Sequence, residues 1–369
     1  MKEYEKKDVK IVDVAKHAKV SISTVSNVIH DKGKVNSGTK ERVLKIIQEL
    51  GYIPNEFAQR LKKGIKKNID KQLTYNFGLI VYKDYNKYGS KDHSELIESL
   101  DREIRNSGYH LYFYYRCDEL SENPQLFNKV VNSRNIDGLI VISSQLEGIY
   151  DQVRSRIKNI ISIGESLGTE NDVDCIKFDD YNAAYDAVKY LAKLGHKRIG
   201  TIADLVYYRE KQKDSIRLRA YKDAVRDFNL ESDESLIEGY VEHDSTDPSA
   251  GTTVANEISY KLMKNLLDKA KPLPTAVFVE TAESCGGIIE AIKEKGLQIP
   301  DDISIVTMGS EILMDNVYPV ITTLTYDVKE ISKTVIRRLI ERISNPEMKP
   351  VKIVLPYDIA IRESCKQIK

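Results

Sequence analysis

The sequence predicts two folds in series: an all-α helix-turn-helix headpiece at the N-terminus and a larger α/β core of two doubly wound subdomains. Three observations carry this. Residues 9–33 (VKIVDVAKHAKVSISTVSNVIHDKG) place apolar stripes at helical spacing on both sides of a three-residue turn. From about Gln72 onward the texture changes, and short runs rich in β-branched and aromatic residues alternate with helical stretches. Charge is segregated too: residues 1–71 hold 17 Lys and Arg against 9 Asp and Glu, a surplus of +8, balanced by −8 in the remainder so that the whole chain is +0.

In the first helix Ile11, Val14, Ala15 and Ala18 fall at i, i+3, i+4 and i+7, which is one face of an α-helix. Ser21 follows the turn and is placed to cap the second helix by accepting a backbone N–H. Ile22, Val25 and Ile29 give that helix an apolar stripe and leave Ser23, Thr24, Ser26 and Asn27 outward. A third stripe, Val43, Ile46, Ile47 and Leu50, starts after the cap candidate Asn36 and stops at Gly51, a residue suited to a helix C-terminus. A small bundle packed against another element would share this periodicity, and a basic surplus is also what a solvated face looks like. The combination of the two favours nucleic acid, because each Lys or Arg that neutralises a phosphate releases condensed counterions.

After Gly51 the chain reads YIPNEFAQRLKKG. Pro54 fixes φ and Asn55 can cap a helix of under three turns ending near Gly64, a length that is unstable alone in water. The run KKGIKKNIDK reads equally as a plain charged linker. Residues 1–53 are therefore assigned to the headpiece, 54–72 to a hinge helix and linker, and 73–369 to the core.

Core runs such as FGLIVY, YHLYFYY, DGLIVI, NIISIG, KRIGTI, TAVFV and ISIVT, separated by helical stretches, argue for parallel sheets flanked by helices. About 297 residues exceed the needs of one doubly wound domain, so two lobes are expected. Open α/β sheets bind ligands at the carboxyl ends of their strands, which makes the cleft between lobes the default small-molecule site.

The run DVAKHAKVSISTVSNVI, followed by VNSGTKERVLKIIQELGYIPNEFAQRLKKG, closely resembles the headpiece and hinge of the LacI (lactose/galactose repressor) family of bacterial transcription regulators. The resemblance continues through DDYNAAYDAVKYLAKLGHKRIGTI, RLRAY, KEKGLQIPDDISIV, ITTLTYD and LPYDIAIRES, and so spans nearly all of the 369 residues. It implies a periplasmic-binding-protein-like core, with the N-subdomain at about 73–178 and 328–345 and the C-subdomain at about 179–327 and 346–369. The chain would cross between them near Phe178, Asp327 and Asn345.

By the same resemblance the second helix enters the major groove, where Ser21, Ile22, Ser23, Thr24, Ser26 and Asn27 meet bases or phosphates. Asn27 departs from the usual Arg, and an Asn amide pairs best with the N6 and N7 edge of adenine, not with guanine. A phosphate contact alone stays open as the plainer role of Asn27. The hinge would enter the minor groove through Asn55, Ala58, Leu61 and Lys62, with Leu61 as a wedge between base steps. Lys10 and Lys19 replace a usual Thr cap and a usual turn Gly, each at a cost on the order of 1 kcal/mol.

For the effector, Arg217 matches the family's ligand-binding Arg, a five-donor fork suited to hydroxyls or a carboxylate. Tyr82, Phe178 and Tyr326 match contact or hinge positions, with core packing as the equal alternative, and Thr281 and Ala282 stand where Asn and Asp are common. Gly309 replaces the Asp that grips sugar hydroxyls, and Glu280, Glu283 and Glu311 are candidate substitutes. A carbohydrate, another metabolite or a phosphorylated partner protein all remain possible switches.

The partners expected are double-stranded operator DNA, a small-molecule effector and a second copy in a homodimer, since no heptad-leucine helix for tetramerisation follows RESCKQIK. With no apolar leader or bilayer-length run, a cytoplasmic, non-membrane location is expected. No cofactor or metal is expected, because Cys117, Cys175, Cys285 and Cys365 lack CxxC spacing and the six His form no ligand pattern. Phosphate-loop, dinucleotide and nucleophile-elbow signatures are missing, so the chain reads as a non-enzyme, and His196 in GHKR reads as structural. A solute-binding protein would share the core but have no use for a basic headpiece. The 22 Tyr with no Trp have no functional account.

Overall fold

The structure, a computed structural model, describes residues 11–29, 35–50, 73–81, 91–131, 135–142, 146, 148–164, 167, 172–203, 215–239, 251–309 and 318–368. The chain divides into two compact units, residues 1–72 and 73–369.

In the first unit three helices, α1 (Ile11–Ala18), α2 (Ile22–Ile29) and α3 (Ser37–Leu50), enclose a core of small side chains: Val14, Ala15, Ala18, Val25, Val28 and Val43. The stripe on α2 differs from the expected one. Val25 and Val28 are buried, whereas Ile22 is 47% exposed. Each step of three residues turns the helix about 60° short of a full revolution, so a face centred on Val25 and Val28 has rotated away by Ile22. The turn between α1 and α2 passes through Lys19 at φ 52, closed by Lys19 N–H to Lys16 O (3.2 Å) and Val20 N–H to Ala15 O (3.1 Å). A side chain in that left-handed region costs about 1–2 kcal/mol.

The second unit holds two six-stranded sheets. The first lobe is built from β1 (Asn76–Val81), α4 (Lys91–Asn106), β2 (His110–Arg116), α5 (Cys117–Glu122), α6 (Pro124–Val131), β3 (Gly138–Ile142), α7 (Tyr150–Arg156), β4 (Ile160–Ile163) and β5 (Asp174–Phe178). The second contains α8 (Asp180–Lys193), β6 (Ile199–Ala203), α9 (Ile216–Asp227), β7 (Ile237–Gly239), α10 (Gly251–Lys269), β8 (Ala276–Val279), α11 (Cys285–Glu294), β9 (Ser304–Met308) and β10 (Thr322–Thr325). Helix α12 (Val328–Ser344) and β11 (Lys352–Leu355) return to the first lobe, and β12 (Asp358–Ala360) to the second.

Sheet one runs β11-β5-β4-β3-β1-β2 with parallel neighbours throughout. Sheet two runs β12-β10-β9-β8-β6-β7, parallel except for the antiparallel β12. Both sheets are covered on both faces, as period-two alternation requires of buried strands. In β1, Phe77, Leu79 and Val81 face α4 and α12, and Ile80 faces the opposite cluster with Leu120 and Val153. In β8, Ala276 and Phe278 join the α8 and α9 side, while Val277 and Val279 join α10 and α11. Helices α10 and α11 touch at Gly287, where a Cβ would lie 1.9 Å from Asn256 O. Only glycine fits there.

The chain crosses between sheets after Phe178, between Thr325 and Val328, and between Leu355 and Asp358. The third crossing is thus a correction to the one expected near Asn345. Residues 351–355 stay with the first lobe because Val351 N–H donates to the buried Asp174 carboxylate (2.7 Å) and β11 pairs with β5 from Lys352↔Cys175 to Leu355↔Phe178. Arg338 Nε (3.1 Å) and Arg342 Nε (2.7 Å) of α12 close on the same carboxylate. At the entrance to the core, Asp137 accepts the N–H groups of Thr74 and Tyr75, the latter at φ 57.

Candidate nucleic-acid interface and ligand cleft

On α2, Ser21 is the cap: its Oγ accepts Thr24 N–H at 3.1 Å, satisfying one of the orphan donors of a helix start. The same oxygen lies 2.7 Å from Ser23 Oγ and 2.8 Å from Thr24 Oγ1, so three hydroxyls of the first turn bond to one another. Ser21, Ile22, Ser23 and Asn27 are exposed and Thr24 is half-buried. The Ser26 side chain is outside the described residues, as are Asn55, Ala58, Leu61 and Lys62 of the expected hinge and Tyr82 and Glu311 of the expected ligand site. Asn36 caps α3 by accepting Gly38 N–H (2.9 Å), and Lys16, Lys19, Arg42 and Lys45 project from this unit into solvent.

In the core, each sheet reverses its strand order beside its first strand, between β1 and β3 and between β6 and β8. Ligands of open α/β sheets sit at the carboxyl ends of strands at such points. The residue that follows β8 is Glu280, and Arg217 reaches it from the first turn of α9. Arg217 Nη1 donates to Glu280 O at 2.6 Å and Nη2 to Asp180 Oδ1 at 3.1 Å. Ser215 positions the Arg by capping α9, accepting Leu218 N–H at 2.9 Å, while its hydroxyl lies 3.3 Å from the fully buried Glu280 carboxylate.

Asp180 opens α8 directly after the first crossing, and the Tyr357 hydroxyl of the third crossing donates to its Oδ1 at 2.8 Å. Phe178 stacks on Tyr326 (centroids 4.7 Å apart, 25°), and Tyr357 stands edge-on to both at 6.1 and 5.6 Å. Each of the three interlobe crossings therefore contributes one ring to a single cluster. Phe178 and Tyr326 are brought together with Tyr357 in the ring cluster, and Tyr357 and Arg217 meet at Asp180, a residue that sequence reasoning missed along with Tyr357. The available signal was position: both lie within two residues of a sheet-to-sheet crossing.

Thr281 is buried, its Oγ1 3.0 Å from Ser284 Oγ, at the lead into α11. Gly309 has φ 143, and a Cβ there would lie 2.8 Å from Ala282 Cβ. Ala282 and Gly309 are thus one packing unit. Any side chain at 309 would need both a strained backbone and a displaced Ala282. Among the remaining titratable groups, Cys285 is fully buried and its thiol is pushed up to about 12 by burial, so it is inert. His196 is buried with Nδ1 2.9 Å from Thr275 Oγ1 and Nε2 3.1 Å from Lys366 O, and burial lowers its pKa. It ties β6 to the C-terminal segment, as a structural residue does. Among the described residues no group of three or more His, Cys, Asp and Glu could hold a metal ion, and no helix is long and apolar enough to cross a membrane.

Comparison with known proteins agrees with this architecture. The sequence model of bacterial regulatory proteins of the lacI family matches residues 10–55, and that of the periplasmic binding protein-like domain matches residues 188–365. The HTH-type transcriptional repressor PurR of Mannheimia succiniciproducens is 30% identical over 372 residues, covering 97% of this chain and 99% of that protein. The structure of the lac repressor dimer bound to operator and the anti-inducer ONPF aligns with a TM-score of 0.66 at 21% identity, over 98% of this chain and 100% of that one. The complex of the transcriptional regulator CelR with cellobiose aligns with a TM-score of 0.63 at 22% identity, over 96% and 99%.

Proposed function

The chain belongs to the lacI family of bacterial regulatory proteins, and from that premise we propose which of its residues read DNA and which take the effector. It is a DNA-binding transcriptional regulator switched by a small molecule. A homodimer presents two headpieces to a palindromic operator. In each, the exposed face of α2 enters the major groove, with Ser21, Ser23, Thr24 and Ser26 at phosphates or base edges and Asn27 on adenine. Asn55, Ala58, Leu61 and Lys62 form the minor-groove hinge, with Leu61 as the wedge.

The effector site is the interlobe cleft at Arg217, flanked by Phe178, Thr281 and Tyr326, with Tyr82 as a further contact that the family resemblance implies. The observation that carries this is the Arg217 fork, fixed between Glu280 O just after β8 and Asp180 at the first crossing, which Tyr357 of the third crossing also bonds. Since Asp180 already neutralises its charge, the fork suits a neutral, hydroxyl-bearing ligand of the carbohydrate class better than an anion. Closure on such a ligand shifts the population of the operator-competent dimer by the ligand's differential affinity for the two states.

Calorimetric titration of the full chain with neutral sugars, sugar phosphates and carboxylates tests the site. The expected result is binding by a neutral sugar that drops at least tenfold in Arg217→Ala. Binding by anions alone, or equal binding in the variant, contradicts it.

A further inference from the structure

We infer that Ile22 is a specificity-determining residue that recognises the C5-methyl group of a thymine in each operator half-site, an inference that rests on α2 being the DNA-reading helix. The helix buries Val25 and Val28, and at about 100° per residue its exposed arc runs from Ile22 through Ser23 to Asn27, roughly 140° wide. Ile22 is 47% exposed in the first turn, the part of such a helix that reaches base edges.

The hydroxyls that share this turn offer polar contacts only, and part of that capacity is already used among themselves. Ser21 Oγ is bonded to Thr24 N–H and lies within 2.8 Å of both Ser23 Oγ and Thr24 Oγ1. The first turn therefore presents to the groove a capped, internally bonded hydroxyl cluster and one branched apolar side chain. Among the groups that base pairs display in the major groove, only the thymine methyl is apolar. Ile22 set against any other edge would strip water from a donor or acceptor without replacing its hydrogen bond, which is unfavourable. Set against thymine, it buries apolar surface on both sides. Asn27, at the other rim of the arc, reads adenine through its amide; Ile22 reads a thymine by shape and hydration, and the two contacts are separable.

The test uses the full chain and an operator selected by it from random DNA. Thymines of the half-site are replaced one at a time by deoxyuridine, which removes the methyl group and no hydrogen-bonding atom. The expected result is one thymine per half-site at which the replacement weakens binding about fourfold, the factor for returning one methyl-sized apolar group to water. In Ile22→Ala the same replacement should change affinity less than twofold, and Ile22→Val, which keeps a branched apolar side chain, should restore most of the sensitivity. Insensitivity of the wild-type protein to every replacement, or an undiminished penalty in Ile22→Ala, overturns the inference and leaves the DNA-reading role of α2 standing. Failure to enrich any sequence overturns both.

Discussion

Arg217 and Tyr357, 140 positions apart in sequence, donate to the same oxygen, Asp180 Oδ1, at 3.1 and 2.8 Å. The expected effector residue and the last interlobe crossing are thereby joined through one carboxylate. Replacing it by an amide in Asp180→Asn removes the charge that neutralises Arg217 and weakens the acceptor. Affinity for anionic ligands should rise severalfold relative to neutral ones, and the effector should lose part of its influence on operator affinity, since ligand contact and hinge become less tightly linked. Paired titrations of effector and operator measure both. An unchanged ligand preference with unchanged coupling contradicts the role given to Asp180.

The headpiece carries removable strain. Lys19 at φ 52 sits where glycine has no steric penalty, so Lys19→Gly should stabilise this unit by about 1 kcal/mol. Urea unfolding monitored by helical signal from the headpiece reads this directly. Destabilisation would mean that the Lys19 side chain makes a contact worth more than the strain.

The clamp that holds β11 in the first lobe should be costly to break. Asp174 is buried among two Arg side chains and the Val351 N–H, and these hydrogen bonds outweigh the upward push of burial to hold its pKa below the usual carboxylate range. Asp174→Asn leaves the buried Arg342 guanidinium beside a neutral side chain, while the partly exposed Arg338 keeps Glu341 and Lys349 O; breaking a buried pair typically costs about 3–5 kcal/mol, so a fall of about 3 kcal/mol in core stability is expected. A loss under 1 kcal/mol in denaturant unfolding would contradict the clamp.

His196 gives a pH dependence of known sign. Its pKa is lowered by burial from the ordinary 6.5, so the unfolded chain binds more protons than the folded one once the pH falls below that value. The stability it contributes is complete above pH 6.5 and is lost as the pH falls toward the folded-state pKa. Unfolding measured from pH 7.5 to 5 should show this decline, and His196→Gln should flatten it even if the variant is less stable overall. Parallel slopes for the two proteins contradict the assignment.

What was legible in the sequence was local. Val14, Ala15 and Ala18 announce their helix face within one segment, and the Ser21 and Asn36 caps need only their own turns. Periodicity alone puts Ile22 in the buried stripe, but a helical face drifts by about 60° every three residues, and packing decides where the face is centred. The place of the strand at 352–355 in the first lobe is illegible in the sequence for a different reason. Its partner strand and the Asp174 carboxylate lie more than 170 positions away, and its alternating exposed and half-buried residues resemble an ordinary surface segment. Asp180 and Tyr357 escaped notice likewise, since their meaning comes from three distant crossings converging in one aromatic cluster. Gly309, which reads in sequence as a lost ligand contact, is required by the close approach of Ala282.

The most direct test of the account as a whole is the binding of the full chain to DNA upstream of its own coding sequence, against random competitor at two salt concentrations. The account predicts tight, competitor-resistant binding to a palindromic segment, abolished by Leu61→Ser with effector affinity retained and released from effector control by Arg217→Ala. Weak, steeply salt-sensitive binding that any sequence competes away would contradict it.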